Sequence, residues 1–371
     1  MAGQDAAPPT PDPLTLATLY LCNISYAADI VMIPGLVQET PPLDGDGIWR
    51  CLWGPVQSSD ESNLALVASY SPQPDGAVEK ICVTIRGTDI AVNDIWGILA
   101  QVWEDIDGTT QKGVPWKGWN ESARIAQGTS DGLDIIMGLT EKNVSLGDFL
   151  RSFLGRESNL DVATLVTGHS LGGCLATVVA AWIESIQPVF YRGTIQPITF
   201  AAPTAGNSYF ADDYSTKFTA AQRFQNTRDI IPRALDNLPS VMDIYSDRGL
   251  DAPDLIWILL PGMSLALALE EATYKQPVQG TQELTGQFYD QDKDDWYAQA
   301  LHQHHPATYL ALLTGTPVDY SALPRSITRR RKKTRPAERA FDVLKRLFGF
   351  LQKLKKEVLT KLASLLERGT L

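Results

Sequence analysis

Residues 168–172 read Gly-His-Ser-Leu-Gly, the residue types and spacing of a nucleophilic serine site. In a G-x-S-x-G segment, a sharp strand-to-helix turn lifts the serine clear of the sheet, and small flanking residues let the backbone pass close by. The context fits, because a β-branched run at 162–167 precedes the segment and 171–186 has helical composition. The pattern therefore predicts a nucleophile elbow with Ser170 at its tip. The other elbow residues are Gly168, His169 and Gly172.

A serine nucleophile needs a general base within hydrogen-bond reach. The chain has four histidines, which are His169, His302, His304 and His305. His169 adjoins the serine, so its ring cannot readily turn back onto the hydroxyl. The base must therefore come from the cluster at 302–305, which lies just before a predicted helix at 306–313 and fits the chain order serine, acid, histidine.

The acid partner should lie between the serine and the histidines, at the carboxyl end of a strand. Asp229 qualifies, because it follows a predicted strand at 222–226 and precedes the apolar residues 230–232. Five other aspartates compete on chain order alone: Asp212, Asp213, Asp236, Asp243 and Asp247. Composition does not decide among the six.

These residues must be positioned by a scaffold in which strands and helices alternate. Predicted strands lie at 64–70, 80–86, 162–167, 195–200, 222–226, 241–245 and 273–288, and predicted helices at 14–30, 171–186 and 306–313. The alternation favours an α/β fold with a mostly parallel central sheet, flanked by helices, with added antiparallel strands. The turn-rich segment 71–76 predicts a hairpin or adjacent strands between the first two.

Five blocks between residues 83 and 310 resemble the class 3 lipases, a fungal-type acylglycerol lipase family of the α/β-hydrolase fold. The blocks are 83–88, 166–173, 200–203 with Gly206 and Asn207, 226–232, and His304 with Tyr309 and Leu310. The resemblance implies Ser170 as nucleophile, Asp229 as acid and His304 as base, although His305 is adjacent and stays open. It also implies two oxyanion donors, Thr88 and the backbone N–H of Leu171.

In the family, a lid that covers the acyl pocket follows the first of these blocks. The matching segment here is apolar at helical spacing. The candidate lid residues are Ile95, Trp96, Leu99 and Trp103. Two alternatives stay open: the segment packs into the core, or the apolar residues 255–269 form the pocket wall instead.

The charge of −11 over 371 residues is unevenly distributed. Residues 325–371 hold 15 Lys and Arg against 4 Asp and Glu, a net charge of +11, which leaves −22 for the rest. A helix from Pro336 to about Arg368 would carry an apolar stripe beside basic residues. It could bind an anionic membrane, dock on the acidic body or dimerise. Nucleic acid is not expected, because aromatic interleaving and a binding motif are absent.

The domain organisation that follows is a flexible N-terminus at 1–13, a hydrolase domain at 14–324, and a basic linker with an amphipathic helix at 325–371. The four cysteines lack paired or metal-like spacing, so free thiols, no metal and no cofactor are expected. We find no signal peptide or transmembrane segment, and expect a cytoplasmic or peripheral membrane location.

The function predicted from these features is hydrolysis of carboxylic esters of lipids by an acylglycerol lipase or esterase, through an acyl-enzyme. An apolar content of 44% with nine Trp excludes a disordered chain. The alternatives are a phospholipase A1-type hydrolase and a catalytically silent membrane-interaction protein on the same scaffold.

Overall fold

A seven-stranded mixed sheet organises the chain in a computed structural model that describes residues 11–86 and 110–316. The strands, in chain order, are β1 (Ile48–Gln57), β2 (Leu64–Ser71), β3 (Lys80–Arg86), β4 (Gln111–Gly113), β5 (Arg124–Ala126), β6 (Thr140–Glu141), β7 (Val144–Ser145), β8 (Ala163–His169), β9 (Ile195–Phe200), β10 (Gln222–Asn226) and β11 (Thr281–Leu284). The main sheet has the order β1-β2-β3-β8-β9-β10-β11. β1, β2 and β3 pair antiparallel, and from β3 to β11 every pair is parallel. The remaining strands form two small hairpins.

Helices cover both faces of this sheet. In chain order the α-helices of the described residues are α1 (Pro13–Ile24), α2 (Ile33–Gln38), α3 (Gln127–Gly138), α4 (Leu146–Leu154), α5 (Leu171–Ile186), α6 (Ser208–Lys217), α7 (Pro239–Met242), α8 (Asp254–Leu269), α9 (Trp296–His304) and α10 (Pro306–Thr314). Short 3-10 turns lie at Ile30–Met32, Glu157–Asn159, Ile231–Arg233, Ser246–Arg248 and Asp290–Asp292. α1 and α10 pack together on one face, and α5 packs with α3 and α4 on the other.

The central strands are apolar at successive positions because both of their faces are buried. In β2, Leu64, Leu66 and Ala68 belong to the core beneath α1, whereas the intervening Ala65 and Val67 belong to the core beneath α5. A strand covered on both sides therefore shows no polar alternation. This accounts for the continuous apolar runs in the sequence.

The predicted architecture is confirmed in its main features. The strands predicted at 195–200 and 222–226 and the helix at 171–186 have the predicted bounds, and the strands at 64–70 and 80–86 are antiparallel neighbours. The sheet is mostly parallel with antiparallel strands at one edge. The four cysteines are free, as expected.

One predicted strand was wrong and another was predicted too long. Residues 241–245 lie at the end of α7 and in the following turn, because Pro239 occupies the first turn of a short helix. Within 273–288 only Thr281–Leu284 pairs with the sheet. Gly280 interrupts the rest with φ +73°, and a Cβ there would lie 1.8 Å from the Ala221 carbonyl oxygen. The predicted helix at 14–30 ends at Ile24.

The apolar segment at 255–269 folds as α8, with Pro261 inside the helix. Its Trp257 and Leu265 side chains are both exposed. Over residues 11–86 and 110–316, every helix falls short of the length and apolarity that crossing a membrane requires. The predicted lid and the basic C-terminal segment lie outside the described residues.

Candidate active site

Ser170 lies in the tight turn that joins β8 to α5. Its backbone has φ +58°, the left-handed region that non-glycine residues rarely adopt. The turn is anchored because the Ser170 N–H donates to the Phe200 carbonyl in the next strand, at 2.9 Å. Glycine is required at Gly168, where a Cβ would lie 2.1 Å from the Gly172 carbonyl oxygen. This is the backbone geometry predicted for a nucleophile elbow.

His304 is the histidine that reaches the serine. It is the last residue of α9, and Pro306 starts α10 in a new direction. The Ser170 hydroxyl lies 2.8 Å from His304 Nε2. His305, the alternative base, instead accepts the Ala307 N–H at 3.1 Å through its Nδ1 and so caps α10. Burial lowers the pKa of His305 to about 4, which keeps that ring neutral and able to accept.

Asp229 follows β10 and is fully buried. Its Oδ2 accepts from His304 Nδ1 at 2.8 Å and from the Tyr309 hydroxyl at 2.7 Å. Its Oδ1 accepts the Ile231 N–H at 2.9 Å. Three donors therefore satisfy the oxygens of this buried carboxylate. An Nδ1–H that donates to this carboxylate leaves His304 Nε2 free to accept the serine proton.

The competing aspartates make contacts elsewhere. Asp236 accepts the backbone N–H of Gln276 at 3.1 Å, and Asp247 forms an ion pair with Arg228 at 2.6 Å. Chain order could not separate these residues from Asp229, because the separation depends on which turn after a strand faces the histidine.

Tyr309 is a site residue for which the sequence predicted no role. Its hydroxyl donates to Asp229 and accepts the Asn226 N–H at 3.0 Å, so it ties the carboxylate to the end of β10. Burial raises the pKa of Tyr309 well above its ordinary value, and the nearby Asp229 charge raises it further. The phenol therefore stays protonated and donates. Its place five residues after His304 is the signal that could have suggested a contact with the same site.

His169 supports the site from behind the nucleophile. Its Nε2–H donates to the His304 backbone carbonyl at 2.9 Å, and its Nδ1 has no hydrogen-bond partner among the described residues. Burial is the largest cause that lowers the pKa of His169 well below its ordinary value, so the ring is neutral. The Tyr26 hydroxyl donates to the His169 carbonyl at 3.2 Å, which links the segment after α1 to the elbow.

Only one of the two predicted oxyanion donors lies in the described part of the chain. Leu171 is the first residue of α5, so its N–H has no acceptor within the helix and can face a ligand beside Ser170. Thr88 lies outside the described residues, as do the lid candidates Ile95, Trp96, Leu99 and Trp103.

Comparison with known proteins gives a family match over part of the chain and a fold. Residues 82–237 match the sequence model of the family Lipase (class 3). No curated protein is similar enough in sequence to match. Among solved structures, M37 lipase superposes with a TM-score of 0.68 and 24% identity, covering 81% of this chain and 92% of the other. This similarity shows the α/β-hydrolase fold.

More distant solved structures are those of a lipase from Rhizopus microsporus var. chinensis and of lipase II from Rhizopus niveus. The first has 19% identity and a TM-score of 0.38, covering 60% of this chain and 67% of the other. The second has 18% identity and a TM-score of 0.40, covering 60% of this chain and 72% of the other. At these TM-scores the superpositions carry no structural argument.

Proposed function

We propose that this chain, whose residues 82–237 match the sequence model of the class 3 lipases, is a carboxylic ester hydrolase. The proposed reaction is hydrolysis of a lipid ester through an acyl-enzyme on Ser170. One observation carries this proposal. Ser170, His304 and Asp229 form a continuous hydrogen-bonded chain with two links of 2.8 Å each.

In the proposed acylation step, His304 Nε2 takes the Ser170 proton while the serine oxygen attacks the ester carbonyl. Asp229 holds the Nδ1–H tautomer and stabilises the imidazolium that forms. The tetrahedral intermediate collapses when the carbon–oxygen bond to the alcohol breaks, and His304 gives its proton to the departing alkoxide. Water then repeats the sequence on the acyl-enzyme and releases the fatty acid and free Ser170.

The developing oxyanion needs donors that are already oriented. The Leu171 N–H at the start of α5 and Thr88 are the proposed pair, each contributing about 3–4 kcal/mol of transition-state stabilisation in comparable sites. The helix dipole of α5 adds to this, because the positive end of the helix faces the same point.

Replacement of the nucleophile tests the proposal. Ser170→Ala should abolish ester turnover and labelling by a fluorophosphonate while leaving the thermal unfolding midpoint close to the natural value. Ser185→Ala is a matched control on α5, since the Ser185 hydroxyl only donates to the Trp182 carbonyl. Full ester hydrolysis by a folded Ser170→Ala variant contradicts the proposal, as does an unlabelled but folded natural chain.

The proposed substrates are acylglycerols, with phospholipids as the alternative that the same site could hydrolyse at the A1 position. Lid residues Ile95, Trp96, Leu99 and Trp103 would cover the acyl cleft in water and open at a lipid surface. A panel of soluble esters, triacylglycerols and phospholipids separates the substrate classes. A rate that does not jump above the solubility limit of the ester contradicts opening at an interface.

The basic residues 325–371 are proposed to bring the acidic body to an anionic membrane, as a peripheral contact. Opposite charges of +11 and −22 support this role, because the body alone would be repelled by anionic lipid. A chain that ends at Pro324 should hydrolyse a soluble ester at the natural rate but lose co-sedimentation with anionic liposomes. Unchanged co-sedimentation removes the membrane role.

A further inference from the structure

A small cavity with both polar and apolar walls lies on the face of the sheet that packs against α5 and α6, and none of the three proposed catalytic residues lines it. The polar residues around it include Thr177, Thr199, Tyr214, Arg223 and Gln276. Its volume is about 10 Å³, which is room for roughly one water-sized particle.

Arg223 is the charged residue in the wall of this cavity. In β10 it lies in register with Thr199 of β9 and Thr281 of β11, so all three side chains share one face of the sheet. Its Nη2 donates to the Thr281 hydroxyl at 3.4 Å, a long hydrogen bond. Its Nε and Nη1 are shielded from solvent and have no hydrogen-bond partner among the described residues.

The Arg223 charge is also unneutralised at close range. Within the described residues no carboxylate lies within 4.0 Å of it; Asp236 and Glu283 act on it only from farther away. Burial accordingly lowers the pKa of the guanidinium. The Arg223 residue is half-buried, but its Nε and Nη1 atoms are shielded from solvent, so a counter-charge that accepts from these two atoms is expected beside them.

The neighbouring polar groups cannot supply that counter-charge. Gln276 is neutral, and its amide nitrogen already donates to the Ala202 and Pro232 carbonyls, at 3.2 Å each. The Thr177 hydroxyl donates to the Gly173 carbonyl at 3.0 Å. A water in the cavity would satisfy donors on Arg223 but would leave its charge uncompensated.

We infer that the cavity binds one monoatomic anion, a halide such as chloride, against Nε and Nη1 of Arg223. The anion completes the hydrogen bonds of the guanidinium and neutralises it, and a small ion suits the small cavity. The role of this anion is structural. It connects β10, the strand that leads to Asp229, to the segment around Gln276. Gln276 in turn binds the Pro232 carbonyl just after the acid.

Thermal unfolding of the full chain at constant ionic strength tests this inference. Replacing sodium gluconate by sodium chloride or bromide should raise the midpoint by about 2–4 °C, and the rise should saturate with halide concentration. The gain should vanish in Arg223→Met. It should persist in Arg192→Met, a matched control whose arginine is exposed and paired with Asp161 at 2.6 Å.

The natural chain alone keeps the inference testable if Arg223→Met does not fold. Crystals grown in bromide should show an anomalous peak beside the Arg223 guanidinium. Equal midpoints in chloride and gluconate overturn the inference. So does a halide effect that survives in folded Arg223→Met, or a guanidinium without a bromide peak.

Discussion

Asp229→Asn is the substitution for which the geometry gives the sharpest expectation. The natural carboxylate only accepts: from the Ile231 N–H on Oδ1, and from His304 and Tyr309 on Oδ2. An asparagine offers one oxygen and one NH₂ group in the same fully buried place. No orientation of the amide can accept all three hydrogen bonds.

The two amide orientations have different consequences. With its oxygen on the Ile231 N–H, the amide donates to His304 Nδ1 and enforces the Nε2–H tautomer, which cannot take the serine proton. With the amide reversed, the NH₂ group faces the Ile231 N–H and leaves a buried donor unpaired, at about 1–3 kcal/mol. The first orientation should dominate. We therefore expect kcat to fall about 10⁴-fold, close to 5.5 kcal/mol of transition-state stabilisation.

The assay is hydrolysis of a short-chain nitrophenyl ester below its solubility limit, so that interfacial opening does not contribute. Ser170→Ala sets the background rate. Asp236→Asn is the matched control, because Asp236 also accepts a backbone N–H but does not contact His304, and it should stay within a few-fold of the natural rate. An Asp229→Asn chain with a natural unfolding midpoint and a rate within tenfold of the natural chain refutes this reasoning.

Two further substitutions have defined outcomes. Gly168→Ala places a Cβ 2.1 Å from the Gly172 carbonyl oxygen, so the elbow must distort. We expect a lower thermal unfolding midpoint and loss of labelling by a fluorophosphonate. Undiminished labelling contradicts this expectation. Tyr309→Phe removes a hydrogen-bond donor to a buried carboxylate, so it should lower the free energy of unfolding by about 1.5–3 kcal/mol. It should retain more activity than Asp229→Asn. Denaturant unfolding and ester kinetics measure the two effects, and an unchanged free energy of unfolding contradicts the prediction.

Much of the sheet was predictable because its strands are local and strongly patterned. The strand at Ile195–Phe200 and the helix at Leu171–Ile186 are each bounded by a change in composition that marks their ends. β1 was missed, because Gly54 and Pro55 interrupt its sequence and two register shifts accommodate them against β2. The strand predicted at 241–245 is absent although its composition is typical of a strand. Tertiary contacts hold this segment in another conformation, for example the hydrogen bond from the Tyr245 hydroxyl to the Arg228 carbonyl.

The site residues also differ in how far a local sequence pattern could predict them. Ser170 follows from a contiguous motif, so its place in the strand-to-helix turn could be read directly from the chain. The pairing of His304 with Asp229 spans 75 residues, and the sequence selected it through family resemblance rather than through local pattern. The contacts of Tyr26 and Tyr309 with the site depend on how α1 and α10 pack against the sheet, which no local pattern specifies.

The left-handed backbone of Ser170 has a consequence for protein engineering. A non-glycine residue in this region costs about 1–3 kcal/mol, so glycine at position 170 would relax the turn and remove the hydroxyl together. Selection for heat resistance alone would therefore favour loss of the nucleophile. Glu61, Lys142 and Glu271 lie in exposed turns outside the site and also have a positive φ, of 62°, 48° and 55°. Glycine at those three turns is the route by which a more robust biocatalyst can be obtained from this scaffold.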